Sequence, residues 1–150
     1  MVLNPFKLIK KKTIDEMDRS SLLEFELTKE QAADFQRGIE FFNERKYWQA
    51  HEMWEQVWRQ REEDSRIFLQ GIIQAAAAYY RVMERPSYVG ALNNFEKAFT
   101  KLQPFPDRFL GVNVEGLRRA IVQSFEEVKR LGPGKLEEFP VQLLTKLDFS

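Results

Sequence analysis

Between Thr28 and Leu131 the apolar side chains recur every three or four residues, the spacing of one face of an α-helix. No stretch of the chain shows a sustained alternation of period two. Thr28 reads as a helix N-cap with Gln31 at the reciprocal position of a capping box. Ala32, Phe35, Ile39 and Phe42 then mark a helix over about residues 29–43, which "NERK" (Asn43–Lys46) breaks. A second helix runs from Tyr47 to about Arg61, and Ser65 is placed to cap a third that reaches about Met83. The "ERPS" turn puts a proline at the start of a fourth helix, with a stripe of Tyr88, Ala91, Leu92, Phe95, Phe99 and Leu102. Two prolines and a glycine make residues 103–113 a loop. Asn113 can cap a fifth helix whose core side is Leu117, Ile121, Phe125 and Val128, ended by Gly132, Pro133 and Gly134.

This pattern predicts an all-α, single-domain helical bundle of about five main helices over residues 28–131. Residues 1–27 form an N-terminal extension and 132–150 a tail packed on the bundle. Short connections make successive helices antiparallel neighbours. The packing is tetratricopeptide-like in places: Gly38, Phe41, Ala50 and Trp54 fall at the small and aromatic offsets of that repeat, and Ala91 with Phe95 echoes part of it, without a regular array.

The third helix is apolar over most of its circumference, as befits a central strut. Gly71, Ala75, Ala78 and Val82 form a narrow stripe that lets a neighbour approach closely. Its one polar stripe is Gln70, Gln74 and Arg81. Either that stripe faces water, or it faces the second helix and hydrogen-bonds His51, Glu52 or Glu55.

On the second helix, "YWQAHEMWEQVW" places the chain's single histidine among aromatic and acidic residues. Tyr47, Ala50, Trp54, Val57 and Trp58 share an arc. His51 and Glu55 lie one turn apart at its edge, with Trp48 and Glu52 just beyond. A carboxylate neighbour raises an imidazole pKa, whereas burial lowers it. Such a pair suits acid–base work near neutral pH. The His-Glu-x-x-His zinc motif fails because position 55 is glutamate. A ferritin-like di-iron site needs two histidine-bearing motifs. A mononuclear site built on His51, Glu55 and distant carboxylates stays open, but no metal or other cofactor is expected.

Composition narrows the rest. Lysine plus arginine equals aspartate plus glutamate at 23 each, without the basic excess of a general nucleic-acid binder. The lysines at positions 7, 10, 11 and 12 read as a solvated tail. They follow too short an apolar patch for a secretory signal. Ile67–Tyr80 is the longest run of low charge, shorter than the ~20 residues a membrane span needs. With no cysteine, disulfides, thiolate metal sites and cysteine nucleophiles are excluded, and a reducing cytoplasm is the expected location. A homo-oligomer is left open.

Several of these residues together resemble the domain of unknown function family 309. Its pattern is Phe-Asn, an aromatic residue, Ala-His-Glu-x-x-Glu-x-x-Trp, then Phe-Leu-Gln-Gly and an alanine-rich run. Here it is carried by Phe42, Asn43, Tyr47, Trp48, Ala50, His51, Glu52, Glu55, Trp58, Phe68, Leu69, Gln70, Gly71 and Gln74. The resemblance covers roughly residues 35–120 and implies a compact helical domain of bacteria and archaea without an assigned activity. Members of the family often carry a second histidine where this chain has Tyr80, so a two-histidine mechanism is in doubt here. Asn113 stands where aspartate is expected, and either residue can cap a helix.

The expected function is a binding or interaction module for an unknown protein or small-molecule partner. Its site comprises His51, Glu52, Glu55, Trp58, Gln70, Gln74 and Arg81. The alternative is a small hydrolase-like enzyme with His51 or Glu55 as general base and Arg81 or Gln74 orienting the substrate. A metal-binding protein is third. Coordinates separate the main readings. A sealed, mutually hydrogen-bonded His51 cluster would only fix helix register, whereas convergence on an open pocket favours a ligand.

Overall fold

The computed structural model describes residues 22–150; the lysine cluster and the rest of residues 1–21 lie outside the described residues. Among the described residues five α-helices make up the bundle: α1 (Lys29–Asn43), α2 (Tyr47–Arg59), α3 (Ile67–Met83), α4 (Tyr88–Leu102) and α5 (Val114–Leu131). Each packs on its sequence neighbours, so α3 lies between α2 and α4. The class is all-α.

The caps follow local chemistry. Thr28 Oγ1 accepts from the Gln31 amide nitrogen at 3.0 Å, and Gln31 Oε1 accepts from the Thr28 nitrogen at 3.2 Å, closing the expected capping box. Asn113 Oδ1 accepts from the Gly116 nitrogen at 3.0 Å and starts α5. Two starts differ from the sequence reading. Ser65 caps no helix: a 3-10 turn, Asp64–Arg66, precedes α3 and carries the Ser65 side chain into the interior. At α4 the cap is Ser87, whose Oγ accepts from the Gly90 nitrogen at 3.0 Å, so Pro86 stands before the helix and not in its first turn.

The α1–α2 turn is a Schellman motif. The Lys46 N–H donates to the Phe41 carbonyl and that of Arg45 to Phe42, with Arg45 at φ 65°. This tight reversal lets the Trp54 indole lie across α1. Trp54 Nε1 donates to the Phe35 carbonyl at 3.1 Å, and a Cβ built on Gly38 would meet that nitrogen at 2.3 Å. The tetratricopeptide-like pairing of these two positions is thus a physical contact.

Residues 103–113 contain more order than a loop. Arg108–Phe109 and Val112–Asn113 form a two-rung antiparallel hairpin. Leu110 and Gly111 both take positive φ at its turn, which matches the strand twist. Strands two residues long show no alternation, so the sequence carries no period-two signal there. The Leu110 N–H donates to Glu24 at 2.7 Å, tying the segment before α1 to this hairpin; Leu22 and Phe25 of that segment are buried.

Beyond α5 the chain makes two 3-10 turns and returns across α1. Leu147 is buried, and the Asn43 side chain grips its backbone on both sides. Asn43 Nδ2 donates to the Leu147 carbonyl at 3.2 Å, while Oδ1 accepts from its nitrogen at 2.7 Å. Phe149 then bridges to Val112 and packs edge-on against Phe35.

Two substitutions test this packing. Gly38→Ala drives a methyl into the Trp54 indole and should cost about 1–3 kcal/mol, read as a lower Tm in thermal denaturation. Asn43→Ala leaves two backbone groups of Leu147 without their partner. It should cost a similar ~1–3 kcal/mol and raise amide exchange at Leu147 and Phe149 before the helices loosen.

Candidate functional site

Two members of the polar stripe of α3, Gln70 and Gln74, lie in an open cleft of about 280 Å³. The floor is Gln70, Ile73, Gln74 and Ala77. His51, Glu55 and Trp58 of α2 form one wall, and Asn94 of α4 stands on the other side. Helical geometry explains the alignment. His51, Glu55 and Trp58 are spaced by four and three residues, as are Gln70, Gln74 and Ala77, and the two helices run in opposite directions.

His51 stacks on Trp48, ring centroids 4.6 Å apart at an interplanar angle of 11°, and Trp48 also contacts Tyr80 at 5.1 Å. Its Nε2 stands 3.8 Å from Glu55 Oε2, an ion-pair distance if protonated but too long for a hydrogen bond. Glu55 Oε1 instead accepts from Arg59 at 2.6 Å. Burial lowers the His51 pKa below 6.5, outweighing the opposing pull of Glu55 and then Glu52, so the imidazole is neutral at pH 7.

Two buried polar atoms belonging to cleft-lining residues have no partner among the described residues: His51 Nδ1 and Trp58 Nε1. A third, the Ser65 hydroxyl, belongs to the turn before α3, outside the cleft lining. Arg66 stacks its guanidinium over the Trp58 ring at 4.8 Å and holds that indole in place. The α3 amides bond neither His51 nor Glu55. Gln74 Oε1 accepts from Lys101 Nζ at 3.0 Å, and Gln70 makes no side-chain hydrogen bond among the described residues.

Five expected site residues therefore share the cleft: His51, Glu55, Trp58, Gln70 and Gln74. The other two do not line it. Glu52 is exposed on α2, and Arg81 lies against the start of α4, its Nε 3.1 Å from where a Gly90 Cβ would sit. Sequence reasoning missed Asn94 and Lys101. They lie on the polar edge of the α4 stripe, seven residues and about two turns apart on one face, and tracing that edge would have found both. Among the described residues no three of histidine, cysteine, aspartate and glutamate cluster as metal ligands do; His51 and Glu55 are the only two of these in the cleft lining.

An all-α bundle with a mixed polar and aromatic cleft between three successive helices is the class that fold and site define. Residues 35–94 match the model of the family described as domain of unknown function, DUF309, the family that the motifs of this stretch resemble. Every residue lining the cleft falls within the match. No curated protein matches the chain.

The single histidine gives a direct check. The His51 imidazole should titrate below 6.5 by NMR. An unfolded chain then takes up a proton near that ordinary value while the folded one resists. Stability is full above it and falls as the pH drops through it toward the folded pKa. Thermal melts of wild type and His51→Gln should diverge only on the acid side.

Proposed function

We propose that the α2–α3–α4 cleft binds a small polar molecule and that the chain works as a cytoplasmic binding module. The observation that supports this is the pair of stranded atoms, His51 Nδ1 and Trp58 Nε1, on residues that line one open cleft. A buried polar atom left unpaired costs about 1–3 kcal/mol, and a ligand that bonds both atoms offsets that cost. Ile73, Ala77 and the Trp58 ring supply apolar contact, while the amides of Gln70, Gln74 and Asn94 supply donors and acceptors that fix orientation. The lack of cysteine supports the location.

A second reading rests on the neutral imidazole beside Glu55. His51 could take a proton from water while Glu55 steadies the imidazolium, making the cleft a small hydrolase site. Among the described residues no serine, threonine or cysteine lines the cleft, so water is the nucleophile in this case.

The test is a fragment panel of amides, sugars, nucleobases and carboxylic acids, read by the indole N–H resonance of Trp58, assigned with Trp58→Phe. Binders should shift it saturably, and His51→Ala should weaken them at least tenfold with its near-native far-UV spectrum retained. A panel with no member shifting that resonance overturns the binding reading. Turnover of an amide member, lost in His51→Gln while binding persists, would favour the hydrolase.

A further inference from the structure

The cleft has polarity, and Lys101 sets it. This residue is half-buried, and among the described residues no carboxylate pairs with it; its one hydrogen-bond acceptor is the neutral Gln74 amide at 3.0 Å. Burial, and then the charge of Lys97, lowers its pKa. An ammonium has only donors, so the Gln74 oxygen must face it, and the Gln74 NH₂ is left with its two protons for other partners. The same logic reverses at Asn94. Its Nδ2 donates to the Gly90 carbonyl at 2.9 Å, which leaves Oδ1 as the free acceptor.

Donors therefore gather toward one end of the cleft: Gln74, with its NH₂, and Trp58, with its unpaired indole N–H, belong to the lining, and the Lys101 ammonium stands behind that lining, 3.0 Å from the Gln74 oxygen. Acceptors gather toward the other: Asn94 Oδ1 and Glu55 Oε2, the carboxylate oxygen that Arg59 leaves unbound. Antiparallel packing produces this order, because the end of α2 and the end of α4 both lie beside the start of α3. A cation without a counter-ion among the described residues at one end, and at the other a carboxylate oxygen with no hydrogen-bond donor among them, describe the complement of a ligand with an anionic group and a donor group.

We propose that the cleft takes a small carboxylate that also bears a hydroxyl or ammonium group. Lys101, with Gln74, pairs the carboxylate, and the Glu55–Asn94 end receives the donor. This rests on the binding reading above and adds the ligand's chemical class.

The test titrates ¹⁵N-labelled protein with lactate, malate and serine, each against its carboxamide (lactamide, malamide and serinamide), following the Trp58 indole resonance. The acids should bind at least tenfold more tightly than their carboxamides. Lys101→Gln should erase that preference, Lys101→Arg should retain it, and Lys97→Gln, an exposed neighbour, should change it little. Equal binding of acid and carboxamide, or acid binding untouched by Lys101→Gln, overturns the proposal and leaves the binding reading standing. No saturable shift from any of the three acids also overturns it. The binding reading itself falls only if the broader fragment panel fails as well.

Discussion

Burial of the Ile67–Met83 helix on nearly every side is the constraint on which the rest of the structure depends. Phe68, Leu69, Ile72, Ala75, Ala76, Ala78 and Tyr79 are all buried, so neighbours must enclose this helix. Close approach by α4 requires Gly71, where an added Cβ would meet the Leu102 side chain at 2.7 Å. Enclosure leaves one strip of α3 between the flanking helices, and its polar members are Gln70 and Gln74. The cleft is therefore not an accessory to the core. It is the seam where the enclosure of α3 stays open.

Polar groups within the core contrast with those along that seam. Tyr79 is fully buried, and its hydroxyl shares a 2.8 Å hydrogen bond with Ser124 of α5; burial raises its pKa, and burial of Tyr47 pushes that hydroxyl up to about 12. The Trp54 indole is equally enclosed and reaches the Phe35 carbonyl. The Tyr79 and Trp54 groups find partners in the chain, and the Ser65 hydroxyl is the interior exception. His51 and Trp58 have tightly held rings and a nitrogen each left unpaired. Rigid rings with unsatisfied edges are the condition for recognition with little ordering cost.

The fold was largely legible because helices announce themselves by period. The apolar stripe of α4 and the capping box of Thr28 and Gln31 are local patterns, readable one turn at a time. What was not legible depended on which helix faces which. Ser124 reads as a neutral surface residue until Tyr79 is placed opposite it. The α3 stripe was expected to face either water or α2, yet Gln74 bonds α4 through Lys101 while opening onto the cleft. Asn43 looked like a helix breaker, and the Arg45 turn does break the helix, but the Asn43 side chain reaches a residue 104 positions away. The two-residue hairpin is below the length at which alternation has meaning. His51, Glu55 and Trp58 could be grouped from sequence because one helix carries all three; Asn94 belongs with them only through tertiary packing.

The long reach of Asn43 has a consequence for how the protein folds. Contacts between successive helices are local in sequence and form early and fast, whereas a contact spanning 104 residues closes a long loop and forms slowly. The bundle, with its cleft, can assemble before the strand-like tail settles on α1 and Val112. Release of that tail is then a sub-global opening of low cost, separable from unfolding of the helices. The molecule divides kinetically into an early helical unit that contains the cleft and a late clasp that locks it.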